Sequence, residues 1–424
     1  MHAYEPRQNS VTGVGETIGP LTGVRVVDFT ERMQGPYATQ MLGDLGAEVI
    51  KVERRVSLTP DGRPDERYGS GGPYGQSAET STVYGPMFLA SNRNKKSVTV
   101  DLKTDAGREV VRRLVRGSDV VYENFRPGVM ARLGFGYDQC AALNPSIVYA
   151  SASGYGTDGP YRDRPGQDVL AQALGGLGAM NVSAQGRPTP VGMSITDLLG
   201  GMNGAFAVLA ALYHRERTGE GQHVQVNLLD SAIAAQSEQA VHFLNTQAGE
   251  PVRGSVMHAN PYVPPPYGFY ATKDGYIALS SGRQIADLSR ILGIADLTAD
   301  PRFDTYWQRD ANRLEMEQII EDALQAKTTD EWMALMEAND MFAAPVNTFA
   351  RAFSDPQVTH NQMIVTVNSP IGPLKLVGPA FKLTKTPATV RTAPPTHGQH
   401  TDEILHTLGY DDTQIAELRA QQAI

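Results

Sequence analysis

Two aspartates stand at the head of apolar, small-residue segments. Asp168 closes Arg164-Pro165-Gly166-Gln167-Asp168, and Asp197 lies 29 residues further on in Ile195-Thr196-Asp197-Leu198-Leu199-Gly200-Gly201. An Asp before an apolar run is commonly a helix N-cap, because its oxygens accept the unpaired N–H groups of the first turn. The same side chain can also do chemistry. A carboxylate is already ionised at neutral pH, so it can attack an acyl carbon without a general base. It needs close approach, which neighbours such as Gly200 and Gly201 permit, and backbone donors for the oxyanion that forms. Taken alone, each aspartate fits either role.

Other chemistries find little support. The nine histidines are scattered, and the pair His397 and His400 has no third ligand nearby, so no metal site is expected. Cys140 is the only cysteine, which excludes a disulfide framework and a cysteine-based metal site. No G-x-S-x-G elbow or P-loop is present, and the turn after the first strand lacks G-x-G-x-x-G. Carboxylates, glycine-lined turns and dispersed basic residues suit acyl transfer from an anionic thioester.

The elements that must position these residues alternate. Val24–Phe29 reads as a buried strand, Tyr37–Gly46 as a helix with Pro36 in its first turn, and Glu48–Glu53 as the next strand. This is a parallel βαβ unit. Residues 57–86 are polar and aperiodic and read as a loop. Asn92-Arg93-Asn94-Lys95-Lys96-Ser97 reads as a solvated basic edge feeding a strand, Val98–Leu102. The amphipathic helix Asp105–Arg116, strands Val120–Phe125 and Ser146–Ser151, and a strand His223–Leu228 extend the pattern. Pro264-Pro265-Pro266 ends a linker-like stretch, a hairpin spans Tyr267–Ser280, and Gln284–Asn339 is mainly helical. Strands Ile364–Val367 and Leu374–Val377 and a helix Asp402–Leu408 close the chain.

With 424 residues, two domains are expected. The net charge of −9 argues against a nucleic-acid binder. The N-terminus lacks the features of a secretory signal, and the apolar run Leu198–Tyr213 is too short and rich in Gly and Ala for a membrane span. A cytoplasmic enzyme is the expectation.

Several spaced blocks together resemble the family III CoA-transferases, the group of formyl-CoA:oxalate and carnitine CoA-transferases and α-methylacyl-CoA racemase. They are Leu21–Asp28, Gly43–Glu53, Asn94–Ser97, Glu123–Gly128, Gly219–Gln222 and His400–Leu405. The resemblance implies an α/β fold: a Rossmann-like large domain built from both chain ends plus a smaller α+β domain, in an interlocked homodimer. On that basis 1–20 is an extension, 21–230 the first part of the large domain, 231–266 a linker, 267–345 the small domain, and 346–424 the linker and return. Asp197 falls at the family's nucleophile, with Asp168 at the acidic position before it. Arg54, Lys95, Asn124, Phe125 and Arg132 fall where the family contacts CoA. Gln34 lies one place from a substrate-site Gln of the oxalate branch, with Met33 at the matching position. The racemase branch has a His where this chain has Gln167, and an amide cannot serve as the proton-transferring base. That departure favours transfer over racemisation, and the retained Asp197 speaks against a non-catalytic CoA-binding subunit. The oxalate branch has a mobile glycine run where this chain has about His258–Pro266, which makes oxalate an unsuitable acceptor. The implied substrates are an acyl-CoA and a small carboxylic acid, with no permanently bound cofactor.

Overall fold

The computed structural model describes residues 19–55 and 85–424, apart from 184, 248 and 371. The expected N-terminal extension, save its last two residues, and the 57–86 loop, save its last two, lie outside the described residues.

Six strands form one parallel sheet: β1 (Arg25–Asp28), β2 (Glu48–Glu53), β3 (Lys95–Thr99), β4 (Val120–Glu123), β5 (Val148–Ser153) and β6 (Gln222–Asn227). Their order is β3-β2-β1-β4-β5-β6, and every pairing is parallel. The order reverses between β1 and β4. In a doubly wound sheet, that switch point opens a crevice at the carboxyl ends of the strands, where ligands bind. Val-Val or Val-Ile pairs stand in three interior strands, β2, β1 and β4, whose two sheet faces are covered.

The first eight helices are α1 (Gln34–Asp44), α2 (Pro86–Ser91), α3 (Asp105–Arg116), α4 (Val129–Leu133), α5 (Tyr137–Leu143), α6 (Asp168–Leu174), α7 (Leu177–Met180) and α8 (Ile195–Thr218). One core layer packs α3 and the C-terminal helices Thr401–Thr407 and Asp412–Ala420 on the sheet, through Val110, Leu114, Ile404 and Leu418. The other packs α1 and α8 on the opposite face, through Ala38, Leu42, Ala205 and Val208. α8 is the crossover between β5 and β6, so its first turn emerges at the carboxyl edge of the sheet.

The chain divides into two compact units. One comprises residues 1–171, 193–232 and 357–424, and the other 172–192 and 233–356. The large unit therefore draws on both chain ends. Its return begins at 357, and the second unit takes in 172–192 and most of the 231–266 stretch expected as a linker. The second unit has a three-stranded antiparallel sheet of Tyr267–Ala271, Tyr276–Ser280 and Ala343–Pro345. Its helical core includes Met316, Ile320 and Trp332.

The Asn92–Ser97 run is not a solvated edge. Lys95 opens β3, and Asn92, Arg93, Asn94, Lys95 and Ser97 are all buried. The Arg93 guanidinium meets both Asp44 carboxylate oxygens, at 2.9 and 2.6 Å. Asn94 adopts a left-handed backbone (φ 60°). Its carboxamide donates to Thr389 O and accepts from the N–H groups of Arg391 and Thr392. The basic run is thus the joint that grips the returning C-terminal segment.

Candidate active site

Asp168 is a cap, but for a helix other than its own. α8 starts after Ser194, whose side chain makes no capping bond. One carboxylate oxygen of Asp168 fills that place, accepting the Thr196 N–H and hydroxyl at 2.7 Å each and the Asp197 N–H at 3.3 Å. Two orphan donors of the first turn of α8 are thereby satisfied from a separate segment.

Asp197 occupies that same first turn. Burial, with the Asp168 charge as a second cause, pushes its carboxyl up to about 7. Gly200 and Gly201 follow at i+3 and i+4, so they continue the helix face that bears Asp197. Both press on the start of α1. A Cβ on Gly200 would sit 2.7 Å from Gln34 Nε2, and one on Gly201 would sit 2.7 Å from Gln34 O. Gln34 is only 5% exposed, and its Nε2 has no hydrogen-bond partner among the described residues. A buried amide donor without an acceptor costs about 1–3 kcal/mol, so an acceptor belongs there. One turn further, a Cβ on Gly204 would lie 1.9 Å from the Tyr122 hydroxyl. The small residues of α8 are required by close packing on α1 and β4.

The expected CoA residues divide. Arg54 follows β2 and pairs through 3.2 Å with Glu31, in the loop after β1. Asn124 follows β4 and grips the same residue, accepting the Glu31 N–H at 2.8 Å and donating to Glu31 O at 2.7 Å. Arg54 and Asn124 are thus brought together at the switch point, with Phe125 next to Asn124. Arg132 sits on α4, exposed, and turns its guanidinium to Gly128, whose φ is +84°. Arg132 Nη1 and Arg162 Nη2 lie 3.4 and 3.5 Å from where a Gly128 Cβ would be. Neither guanidinium has a carboxylate partner among the described residues. Two like charges converging in this way suit a phosphate. Arg162 is therefore an addition that sequence spacing did not reveal.

Lys95 requires a correction. Its ammonium is enclosed and donates to Asp28 Oδ2 (3.0 Å), Pro36 O (2.9 Å) and Asn92 Oδ1 (3.0 Å). Three acceptors use its three protons, so it holds strand ends together and is not placed to meet a phosphate. Burial opposes ionisation of Asp28, yet Lys95 and Lys51 outweigh it and keep that carboxyl below its usual range. The exposed cation on this strand connection is Lys103, in the turn from β3 to α3. Gln167 is exposed, and its main-chain oxygen accepts the N–H groups of Leu170 and Ala171 at the start of α6. No cluster of metal-ligating side chains occurs among the described residues.

In the second unit, buried His258 bonds Glu317 at 2.9 Å and, through its other ring nitrogen, Val263 O. Ser255 donates to the same carboxylate at 2.5 Å. This segment, where a mobile glycine run would fall by resemblance, is pinned to the helix Arg313–Leu324.

A doubly wound sheet with a half-buried carboxylate heading its last crossover helix, and cations along its carboxyl edge, has counterparts among known proteins. The sequence profile of CoA-transferase family III matches residues 21–401. The chain belongs to that family and is a CoA-transferase. It is 36% identical over 405 residues to the human succinyl-CoA:glutarate CoA-transferase, covering 95% of this chain and 89% of that one. It is 34% identical to the succinate–glutarate CoA-transferase of Agrobacterium fabrum over 92% of this chain and 96% of the other. A CAIB/BAIF family protein from Brucella suis superposes with a TM-score of 0.78 at 32% identity, over 92% of this chain and 99% of that one. Rv3272 from Mycobacterium tuberculosis superposes at 0.77 with 34% identity, over 91% and 99%.

Proposed function

We propose that this enzyme moves CoA between two small carboxylic acids through a thioester on Asp197. The observation that carries the reading is the half-buried Asp197 carboxyl on the same helix face as Gly200, against which lies a Gln34 amide nitrogen with no partner among the described residues. Asp197 attacks the donor thioester carbonyl, and CoA leaves as thiolate, giving a mixed anhydride. The thiolate then attacks the Asp197 carbonyl, releasing the donor acid and forming the aspartyl-CoA thioester. An acceptor carboxylate repeats the two steps in reverse. Gln34 Nε2 donates to the oxyanion or to the substrate carboxyl. Both intermediates hydrolyse, so exclusion of water serves the chemistry. Asp168 orients the first turn of α8 and keeps Asp197 from being fully ionised. Arg54, Lys103, Arg132 and Arg162, with Asn124 and Phe125, take the phosphate-bearing end of CoA.

Succinyl-CoA is the donor favoured by the relatives' names, with a dicarboxylic acid such as glutarate as acceptor. Gln167 carries an amide where α-proton transfer would need a base, which disfavours racemisation. The enzyme acts in the cytoplasm as a homodimer with no permanent cofactor. The apolar stripe Met202, Phe206 and Tyr213 on α8, 47%, 74% and 66% exposed, supports contact with a second copy. By length and composition α8 could also cross a membrane, but its glycine face packs on α1 and β4 as a crossover helix does.

The test is covalent trapping. After incubation with succinyl-CoA, hydroxylamine or borohydride should mark the peptide containing Asp197. An unmarked peptide, together with full transfer activity in Asp197→Ala, defeats the proposal.

A further inference from the structure

One buried acid has no part in the chemistry above. Glu123 ends β4 and is 8% exposed. Its Oε2 accepts the Phe125 N–H at 2.9 Å, closing the turn that contains Asn124. The Ser151 hydroxyl, directly opposite on β5, also donates to it. Ser151 Oγ in turn lies 2.9 Å from His223 Nε2 on β6. His223 is stacked on Tyr137 with ring centres 4.9 Å apart, and meets Tyr149 edge-on at 5.5 Å. These groups line a cleft of about 140 Å³ that also includes Gly128 and Arg162.

This network has an unusual composition. Glu123 makes no ion pair among the described residues, although a buried carboxylate normally requires a cation. Burial pushes it up to about 7, against the pull of the Ser151 and Phe125 hydrogen bonds. What the carboxyl holds is the turn whose other side Asn124 fastens to Glu31. The turn is thus fixed at two points, Phe125 N–H from below and the Glu31 main chain from across the switch point.

We infer that Glu123 is a positioning residue for the CoA-binding turn Asn124–Arg126, and that its ionisation tunes how tightly CoA is held. This inference rests on the reading that the turn meets CoA. Ionised, Glu123 accepts both donors as charge-assisted hydrogen bonds, and protonation weakens that grip. Affinity for CoA therefore rises with pH across neutrality. The groups lining the cleft with it are Tyr149 on β5, His223 on β6, Tyr137 on α5 and Arg162, while Tyr122, its neighbour on β4, points to the opposite sheet face. Burial lowers His223, so the ring is mainly neutral where Glu123 titrates, with Asp138 opposing that shift.

Equilibrium binding of CoA, measured from pH 6 to 8, tests this in three proteins. Glu123→Ala should weaken binding about tenfold, the usual scale for losing one buried hydrogen bond to a main-chain donor, with the loss in KM rather than kcat. Glu123→Gln can still accept from Phe125 and donate to Ser151, so it should bind within about threefold of wild type at pH 7. Its affinity relative to wild type should fall from pH 6 to pH 8. That ratio cancels the titration of CoA's own phosphate. The inference is overturned if folded Glu123→Ala binds CoA as wild type does, or if the Gln-to-wild-type ratio is flat with pH. If wild type itself binds no CoA, the reading of the turn falls and the inference with it. A wild type that binds alongside an unaffected Glu123→Ala defeats the inference alone.

Discussion

Asp168→Asn separates the two things Asp168 does. Asn caps a helix about as well as Asp, so its side-chain oxygen can still accept the Thr196 and Asp197 N–H groups. What disappears is the negative charge beside Asp197. Burial is the larger cause of the rise of Asp197 from 3.8 to about 7, and Asp168 is the smaller. Removing the charge should lower Asp197 by less than half of that interval. A transferase whose nucleophile is Asp197 needs it ionised, so kcat/KM in the wild type should climb with pH along a limb near 7. At pH 6 only about a tenth of such a group is ionised, and a limb moved down by about half to one pH unit raises that fraction roughly two- to fivefold. Asp168→Asn should therefore be about two- to fivefold faster than wild type in kcat/KM at pH 6. Above pH 8 it should be equal or slower, since a less basic carboxylate is a poorer nucleophile. Initial rates of CoA exchange between succinyl-CoA and an acceptor acid, from pH 5 to 9, provide the assay. A limb that stays near 7 or moves upward in the variant would refute the electrostatic role of Asp168.

Other outcomes follow from the same packing and charges. Asp197 is raised in the folded state, so its contribution to stability is present below pH 3.8 and is lost as pH rises toward 7. Asp197→Asn should accordingly raise Tm by a few degrees at pH 8 and leave it unchanged near pH 3, by scanning calorimetry. Lys95→Met removes the ion-pair partner of buried Asp28, leaving it Lys51 and the Thr30 and Thr39 hydrogen bonds, and should cost about 3 kcal/mol in urea unfolding. Lys103→Ala should leave the unfolding curve in place and raise KM for acyl-CoA several-fold. Gly204→Ala pushes a methyl into the Tyr122 hydroxyl and should cost about 1–3 kcal/mol. Because that hydroxyl is buried without a partner among the described residues, Tyr122→Phe should be near neutral alone and should recover much of the loss in the double variant.

The central strands of the sheet were legible in the sequence because fully covered parallel strands read as short apolar runs of Val and Ile. Strands predicted at Val24–Phe29 and Glu48–Glu53 match β1 and β2 to within two residues. The basic run Asn92–Ser97 was not legible. Its charges are neutralised by Asp44 and Asp28, roughly fifty or more positions away, and a local reading sees only exposed cations. The start of β3 at Lys95 was lost for the same reason. Asp168 shows a related limit, since spacing announces a cap without saying which helix it serves. The family resemblance supplied Asp197 and the CoA positions by matching residues. It could not show that Lys95 is sealed in an ion pair or that Arg162 stands beside Arg132. Those facts depend on side-chain surroundings built from distant segments.

The bond from Asp168 to Thr196 closes a loop in the chain. Residues 172–192, which belong to the second unit, depart just after Asp168 and return just before Thr196. The two ends of this excursion are stapled by the same carboxylate that caps the first turn of α8. The excursion has bonds of its own, Val191 N–H to Gln172 and Arg253 to Asn181 and Val182 O, so the clasp at its base and the packing beyond it are separate sets of contacts. For a protein engineer it is a cassette with a fixed clasp. For a lineage of enzymes it offers a place to vary the chain beyond the clasp while the first turn of α8 keeps its cap.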